Sequence, residues 1–151
     1  MKLYAESSAV LAWLLGEADG ARVRAALSEA NLILSSDLTL IECDRVLIRG
    51  IALGAIAEAE AADRRAVLTT AAAHWHVLHL DTEIVDRARR PFPGEPVRSL
   101  DAIHLSAALV ARSAVPGLRL LSLDRQIRLS GKALGFQLLP DVATHTDTAN
   151  Q

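Results

Sequence analysis

Glu6, Glu42, Asp101 and Asp124 are acids whose positions along the chain suit catalysis. Glu6 ends an apolar stretch, Leu3 to Ala5, and precedes Ser7 and Ser8. Asp124 directly follows the mostly apolar stretch Leu118 to Leu123. Asp101 falls in the first turn of a helix that Ser99 can cap, and Glu42 lies about one and a half turns into the helix after a second apolar run. In open parallel sheets, ligands gather beyond the carboxyl ends of the strands, so Glu6, Asp101 and Asp124 can share one rim and Glu42 can reach over it. Carboxylates crowded on one rim repel one another, and relief comes from protonation, arginine partners or a divalent cation. One or two Mg2+ or Mn2+ ions would give such a rim hydrolytic chemistry. They accept oxygen ligands, keep waters, lower the pKa of bound water and neutralise charge building on a phosphodiester under attack.

Each acid also has a plainer explanation. Asp124 can simply cap a helix, Asp101 can complement a helix dipole, and Glu6 can pair with an arginine. On the helix of Glu42, the neighbours Leu40, Ile41, Leu47 and Ile48 surround Asp44, so periodicity favours Asp44 as the more buried acid and does not decide between the two. His104 lies one turn after Asp101, where it either contacts the rim or packs beneath its helix. His74, His76 and His79 have spacings that keep three imidazoles off a common face. The single Cys43 excludes an internal disulfide and a thiolate zinc cage, which points to a reducing, cytoplasmic setting. No Ser-His-Asp or Cys-His arrangement suggests a nucleophile.

The elements that must carry these acids follow from composition and pattern. The 151 residues, 51% hydrophobic, suffice for one domain with a substantial core. Aromatic residues are only 3%, which argues against a base-stacking platform, and a formal net charge of -2 excludes a basic arm that holds nucleic acid by charge alone. Nearly all the positive charge is arginine, suited to forked contacts with phosphate. Arg90 and Arg98 flank a proline loop and Arg125 follows Asp124, so these three are candidate substrate contacts. No signal peptide or membrane span is visible.

Apolar runs alternate with helical stretches, the mark of an α/β fold whose mainly parallel sheet of four to five strands is flanked by helices on both faces. Strands are predicted at Lys2 to Ala5, Leu32 to Leu34, Val77 to Leu80, Leu118 to Leu123 and Phe136 to Leu139. Helices are predicted at Ala9 to Leu15, Ala18 to Glu29, Leu38 to Gly50, Ala55 to Ala73, Glu83 to Arg89, Leu100 to Arg112 and Arg125 to Leu134. Asp37, Asp81, Ser99 and Asp124 stand at N-cap positions, and Gly16, Gly50 and Gly135 read as stops. The stretch Arg90 to Arg98, with three prolines, is a loop inside the unit. One domain over 1–143 is expected, with a polar, frayed tail at 144–151, and no Gly-rich phosphate loop opens any helix.

The segments L-Y-A-E-S-S-A-V-L, S-S-D-L-T-L-I-E-C-D-R, S-L-D-A-I-H-L-S-A-A and L-L-S-L-D-R-Q-I, in this order, resemble the PIN-domain ribonucleases, specifically VapC-like toxins of toxin-antitoxin modules. D-A-I-H-L-S-A-A at Asp101 to Ala108 is the most specific piece, with Ser122 and Asp124 as the later S-x-D. The resemblance implies that Glu6, Glu42, Asp101 and Asp124 form the catalytic and metal-binding set, and it selects Glu42 over Asp44. Ser8, Ser122 and His104 then support the site. It further implies endonucleolytic cleavage of RNA to 5'-phosphate and 3'-hydroxyl ends with Mg2+ or Mn2+, a small antitoxin partner and a homodimer. The family pattern usually has Asp where this chain has Glu6. One extra methylene moves a carboxylate by roughly 1 Å, against a tolerance of about 0.5 Å in a preorganised site. That departure supports an alternative reading, a PIN-like binding protein with weak or absent nuclease activity.

Overall fold

The computed structural model describes residues 1–141 and forms one α/β domain. The expected tail at 144–151 lies outside the described residues. In chain order the elements are β1 (Lys2–Ala5), α1 (Ser7–Leu15), α2 (Gly20–Glu29), β2 (Leu32–Ser36), α3 (Asp37–Ala52), α4 (Glu58–Ala72), β3 (His76–Leu78), α5 (Thr82–Ala88), α6 (Ser99–Ala114), β4 (Arg119–Leu121), α7 (Arg125–Ala133) and β5 (Leu138–Leu139). All five strands are parallel, in the spatial order β3-β2-β1-β4-β5.

β1 is central and buried on both sides. Leu3 and Ala5 face a core formed with Val10, Leu14, Val23 and Leu68, while Tyr4 faces the opposite core with Leu105, Ile84 and Leu120. This two-sided burial explains why the strands read as short apolar runs without alternation. Each fully buried leucine adds about 1.5–3 kcal/mol. The chain winds outward from β1 through β2 to β3, then returns to place β4 on the other side of β1. The carboxyl ends of β1 and β4 therefore border the point where the winding reverses, the usual place for a crevice in such sheets.

Local differences from the sequence expectations have identifiable causes. α1 starts at Ser7, because the Glu6 side chain caps it by accepting from the Ser8 amide. Gly16 ends α1 in the left-handed region, as expected, at φ 67°. Gly50, in contrast, does not stop α3, which runs on to Ala52. A Cβ at Gly50 would lie 2.6 Å from the Ile56 side chain, so this glycine makes room for the chain folding back. Asp37 and Ser99 are the first helical residues instead of caps, and Ser36 and Arg98 precede them without side-chain capping bonds. β3 shifts to His76–Leu78, and β4 and β5 are shorter than predicted, their pairing confined to Leu120 with Leu138 and Leu121 with Leu139 and ended by the Ser122 amide donating to the Leu139 carbonyl at 3.0 Å.

The Arg90 to Arg98 segment is irregular as expected and braced from within. The Glu95 carboxylate accepts from the amides of Phe92 and Val97 at 2.9 and 2.7 Å, and Phe92 is buried under the Arg87 guanidinium. Among the described residues, no helix is long and apolar enough to cross a membrane.

Candidate active site

The site is assembled at the carboxyl ends of β1 and β4. Glu6 continues the β1–β4 ladder, its amide donating to the Leu121 carbonyl at 3.0 Å. The residue is 2% exposed. Oε1 accepts from Ser7 Oγ at 2.7 Å and from the Ser8 amide at 3.0 Å; Oε2 accepts from Ser8 Oγ at 2.5 Å and Ser122 Oγ at 2.7 Å. The hydroxyls in turn gather the turn after β4: Ser8 Oγ accepts from the amides of Leu123 and Asp124 at 2.9 and 3.0 Å, and Ser122 Oγ from that of Asp124 at 3.1 Å.

Glu42 reaches the same place from α3. Its Oε1 is hydrogen-bonded to His104 Nε2 and lies 3.1 Å from Ser7 Oγ, whose single hydrogen has Glu6 Oε1 as its nearer acceptor. The His104 bond holds the Glu42 carboxyl below the usual range, with partial burial opposing it. His104 is buried, and its Nε2 lies 3.7 Å from Glu6 Oε1. Nε2 carries the hydrogen that Glu42 accepts, since a hydrogen on the buried Nδ1 would face no acceptor among the described residues. The two positions left open for His104 thus resolve in favour of the rim.

Asp101, in the first turn of α6, has its carboxyl pushed above the usual range, first by burial and then by the charges of Asp124 and Glu6, with His104 and Arg98 opposing. Asp124 caps α7, its Oδ1 accepting from the Ile127 amide at 2.8 Å. The plain reading of Asp124 as a cap is correct, and the residue nonetheless faces Asp101 electrostatically. Glu6 is thus the common neighbour: its charge and that of Asp124 act on Asp101, and Ser7 and His104 connect it to Glu42. Asp44 takes no part: it pairs with Arg65 at 3.0 Å on the surface. The periodicity that favoured it misleads because Ile41 and Ile48 are themselves exposed, leaving Cys43 and Leu47 as the buried stripe of that helix.

Arg90, Arg98 and Arg125 are exposed, and the charge of Arg98 opposes the raising of the Asp101 carboxyl. Neighbouring cations are committed to the scaffold: Arg128 donates to the carbonyls of Ser122 and Leu139, and Arg87 to those of Arg90 and Pro91. His79 pairs with Asp37 at 3.0 Å, and the three histidines at 74, 76 and 79 form no cluster. Burial pushes the Cys43 thiol up to about 12, with Glu42 adding to the shift, which disfavours the thiolate a nucleophile needs. Ser7, which bridges Glu6 and Glu42, was not singled out from the sequence; its only signal is adjacency to Glu6.

The donor set fits a hard divalent cation. Glu42 Oε2, Asp124 Oδ2 and both oxygens of Asp101 carry no hydrogen bond among the described residues, and the repulsion at Asp101 is the kind a cation relieves. Atoms of Glu6, Glu42 and His104 that could serve as ligands also lie within 4.8 Å of one another.

Comparison with known proteins is consistent with this architecture. The fold is similar to that of the sarcin-ricin-loop-cleaving toxin VapC20 of Mycobacterium tuberculosis (TM-score 0.62, 14% identity, covering 89% of this chain and 96% of that one). It is also similar to a chain of a toxin-antitoxin complex from Klebsiella pneumoniae (TM-score 0.60, 14% identity, 93% and 97% covered). A third likeness is to a chain of VapBC2 from Rickettsia felis bound to a DNA fragment from its promoter (TM-score 0.59, 11% identity, 91% and 97% covered). Comparison with curated protein sequences gives no match. The family profile described as the PIN domain matches residues 3–132, most of the chain, and with the parallel sheet and its acidic rim in view the chain belongs to the PIN domain family.

Proposed function

We propose that this protein is a metal-dependent endoribonuclease that hydrolyses RNA phosphodiester bonds and acts as the toxin of a toxin-antitoxin pair. The observation that supports the reading is the buried Glu6, connected through Ser7 and His104 to Glu42 and acting with Asp124 on Asp101, whose carboxyl is raised first by burial and then by these charges. Asp101, Asp124 and Glu42 offer the open oxygens that would hold Mg2+ or Mn2+. Such an ion, when bound, supplies water of lowered pKa and neutralises charge building on the attacked phosphate. His104 fixes one oxygen of Glu42 and leaves the other free. Ser8 and Ser122 fix the backbone of Asp124. Arg98 places a guanidinium near Asp101, and Arg90 and Arg125 are exposed to meet further phosphates.

A small antitoxin and a second copy of the chain are the proposed partners. The solved relatives from Klebsiella pneumoniae and Rickettsia felis come from toxin-antitoxin assemblies, and exposed Ile41, Ile48, Leu53, Leu100 and Leu129 offer apolar surface to a protein. The test is cleavage of RNA by purified protein with Mg2+ or Mn2+, abolished by chelation and by Asp101→Asn and unaffected by Asp44→Asn. The second reading, a PIN-like binding protein of little or no activity, draws on the Glu6 carboxylate, whose oxygens are already engaged by four donors. A folded protein that binds RNA and leaves it intact under the same conditions would favour it.

A further inference from the structure

We infer that Glu6 is a positioning residue that fixes Asp124 and the turn after β4, not a ligand of the metal, an inference that rests on the metal site proposed above. A carboxylate has about four lone-pair sites and donates nothing. At Glu6 all four are used, two by Ser7 Oγ and the Ser8 amide, two by the hydroxyls of Ser8 and Ser122. Glu6 is also buried, whereas Glu42, Asp101 and Asp124 are partly open.

Ser8 Oγ accepts from the backbone amides of Leu123 and Asp124, which only donate, so its own hydrogen goes outward to an acceptor, and Glu6 Oε2 at 2.5 Å is much nearer than Ser122 Oγ at 3.3 Å. Glu6 Oε1 accepts from the Ser8 amide, again a fixed donor. Both atoms at the end of residue 6 must therefore be acceptors. Glutamine, with the same shape, offers only one. The chain of bonds runs from the Asp124 amide through the Ser8 hydroxyl to Glu6, so residue 6 acts on the rim through the backbone of Asp124. The Glu6, Glu42 and His104 atoms that lie within 4.8 Å are likewise already joined to one another, through Ser7 and the His104–Glu42 bond.

Three measurements on the full chain test this. In a crystal of the protein loaded with Mn2+, the ion is expected on oxygens of Glu42, Asp101 and Asp124, with Glu6 still bonded to Ser8 and Ser122; a Glu6 oxygen within about 2.2 Å of the ion overturns the inference. In the metal-free protein, Glu6→Gln is expected to lower Tm by about 5 °C or more. Hydrogen exchange at the Leu123 and Asp124 amides should accelerate at least tenfold more than at helix amides remote from the rim, which general loosening would not produce. An unchanged Tm and unchanged exchange at those amides overturn it as well. Should Glu6→Gln fail to fold, Ser122→Ala removes a single donor and is expected to accelerate the Asp124 amide alone. If Mn2+ binds nowhere, the proposed metal site fails, and unfolding and exchange still decide the role of Glu6.

Discussion

Glu42 and His104, 62 residues apart in sequence, are hydrogen-bonded to each other beneath the acidic rim, joining α3 to α6. The bond lowers the Glu42 carboxyl below its usual 4.5. A carboxyl lowered on folding adds stability that is fully present above the unfolded value and is lost as pH falls through the folded one. In unfolding curves measured from pH 6 to 2, His104→Ala should flatten the decline that begins below about 4.5. At pH 7 the variant should lose about 1–3 kcal/mol, because a partly buried acceptor loses its main donor.

Asp101 behaves in the opposite sense. Its carboxyl is raised, by burial and by Asp124 and Glu6, so its ionisation destabilises the metal-free fold as pH rises above the usual 3.8. Asp101→Asn is expected to raise the Tm of the metal-free protein at pH 7 by a few degrees and to remove the stabilisation that Mn2+ gives the unchanged protein. Thermal scans with and without Mn2+ check both expectations.

Asp124 has two duties that substitution can separate. Its Oδ1 caps α7 and its charge faces Asp101. Asp124→Asn preserves a good cap and should change stability by less than about 0.5 kcal/mol, whereas Asp124→Ala should cost about 0.5–2 kcal/mol. Both should abolish RNA cleavage, so activity and denaturant midpoint, measured together, divide the capping role from the chemical one.

The two halves of the rim differed in how much of them the sequence disclosed. Glu6 and Asp124 were legible because each comes after a mostly apolar strand, and β1 and β4 prove to be neighbours in the sheet. Glu42 was not separable from Asp44 by periodicity, since half of the apolar residues around them face outward and only the fold shows which half. His104 was ambiguous for the same reason: a histidine one turn from Asp101 lies on either face of α6 until α3 is placed. Ser7 carried no periodic signal at all, because its role comes from α1 starting two residues earlier than its apolar pattern suggests. Gly50 misled as a helix stop, its cause being a contact with Ile56 that no local rule contains.

Close approach of backbone explains a further glycine. A Cβ on Gly20 would stand 2.4 Å from the Ala12 carbonyl oxygen, where α2 crosses α1. Backbone cannot swing aside as a side chain does, so Gly20→Ala should destabilise by about 1–3 kcal/mol. At Gly50 the obstacle is the Ile56 side chain, which can rotate, and Gly50→Ala should cost less. Paired urea denaturations of the two variants test the order.

The most direct test of the central claim is an RNA cleavage assay on purified protein with Mg2+ or Mn2+, run beside Asp101→Asn and Asp44→Asn. The expected result is metal-dependent endonucleolytic cutting by the unchanged protein and by Asp44→Asn, lost on chelation and lost in Asp101→Asn. Cleavage that survives in a folded Asp101→Asn protein, or that proceeds undiminished in chelator, would contradict the account.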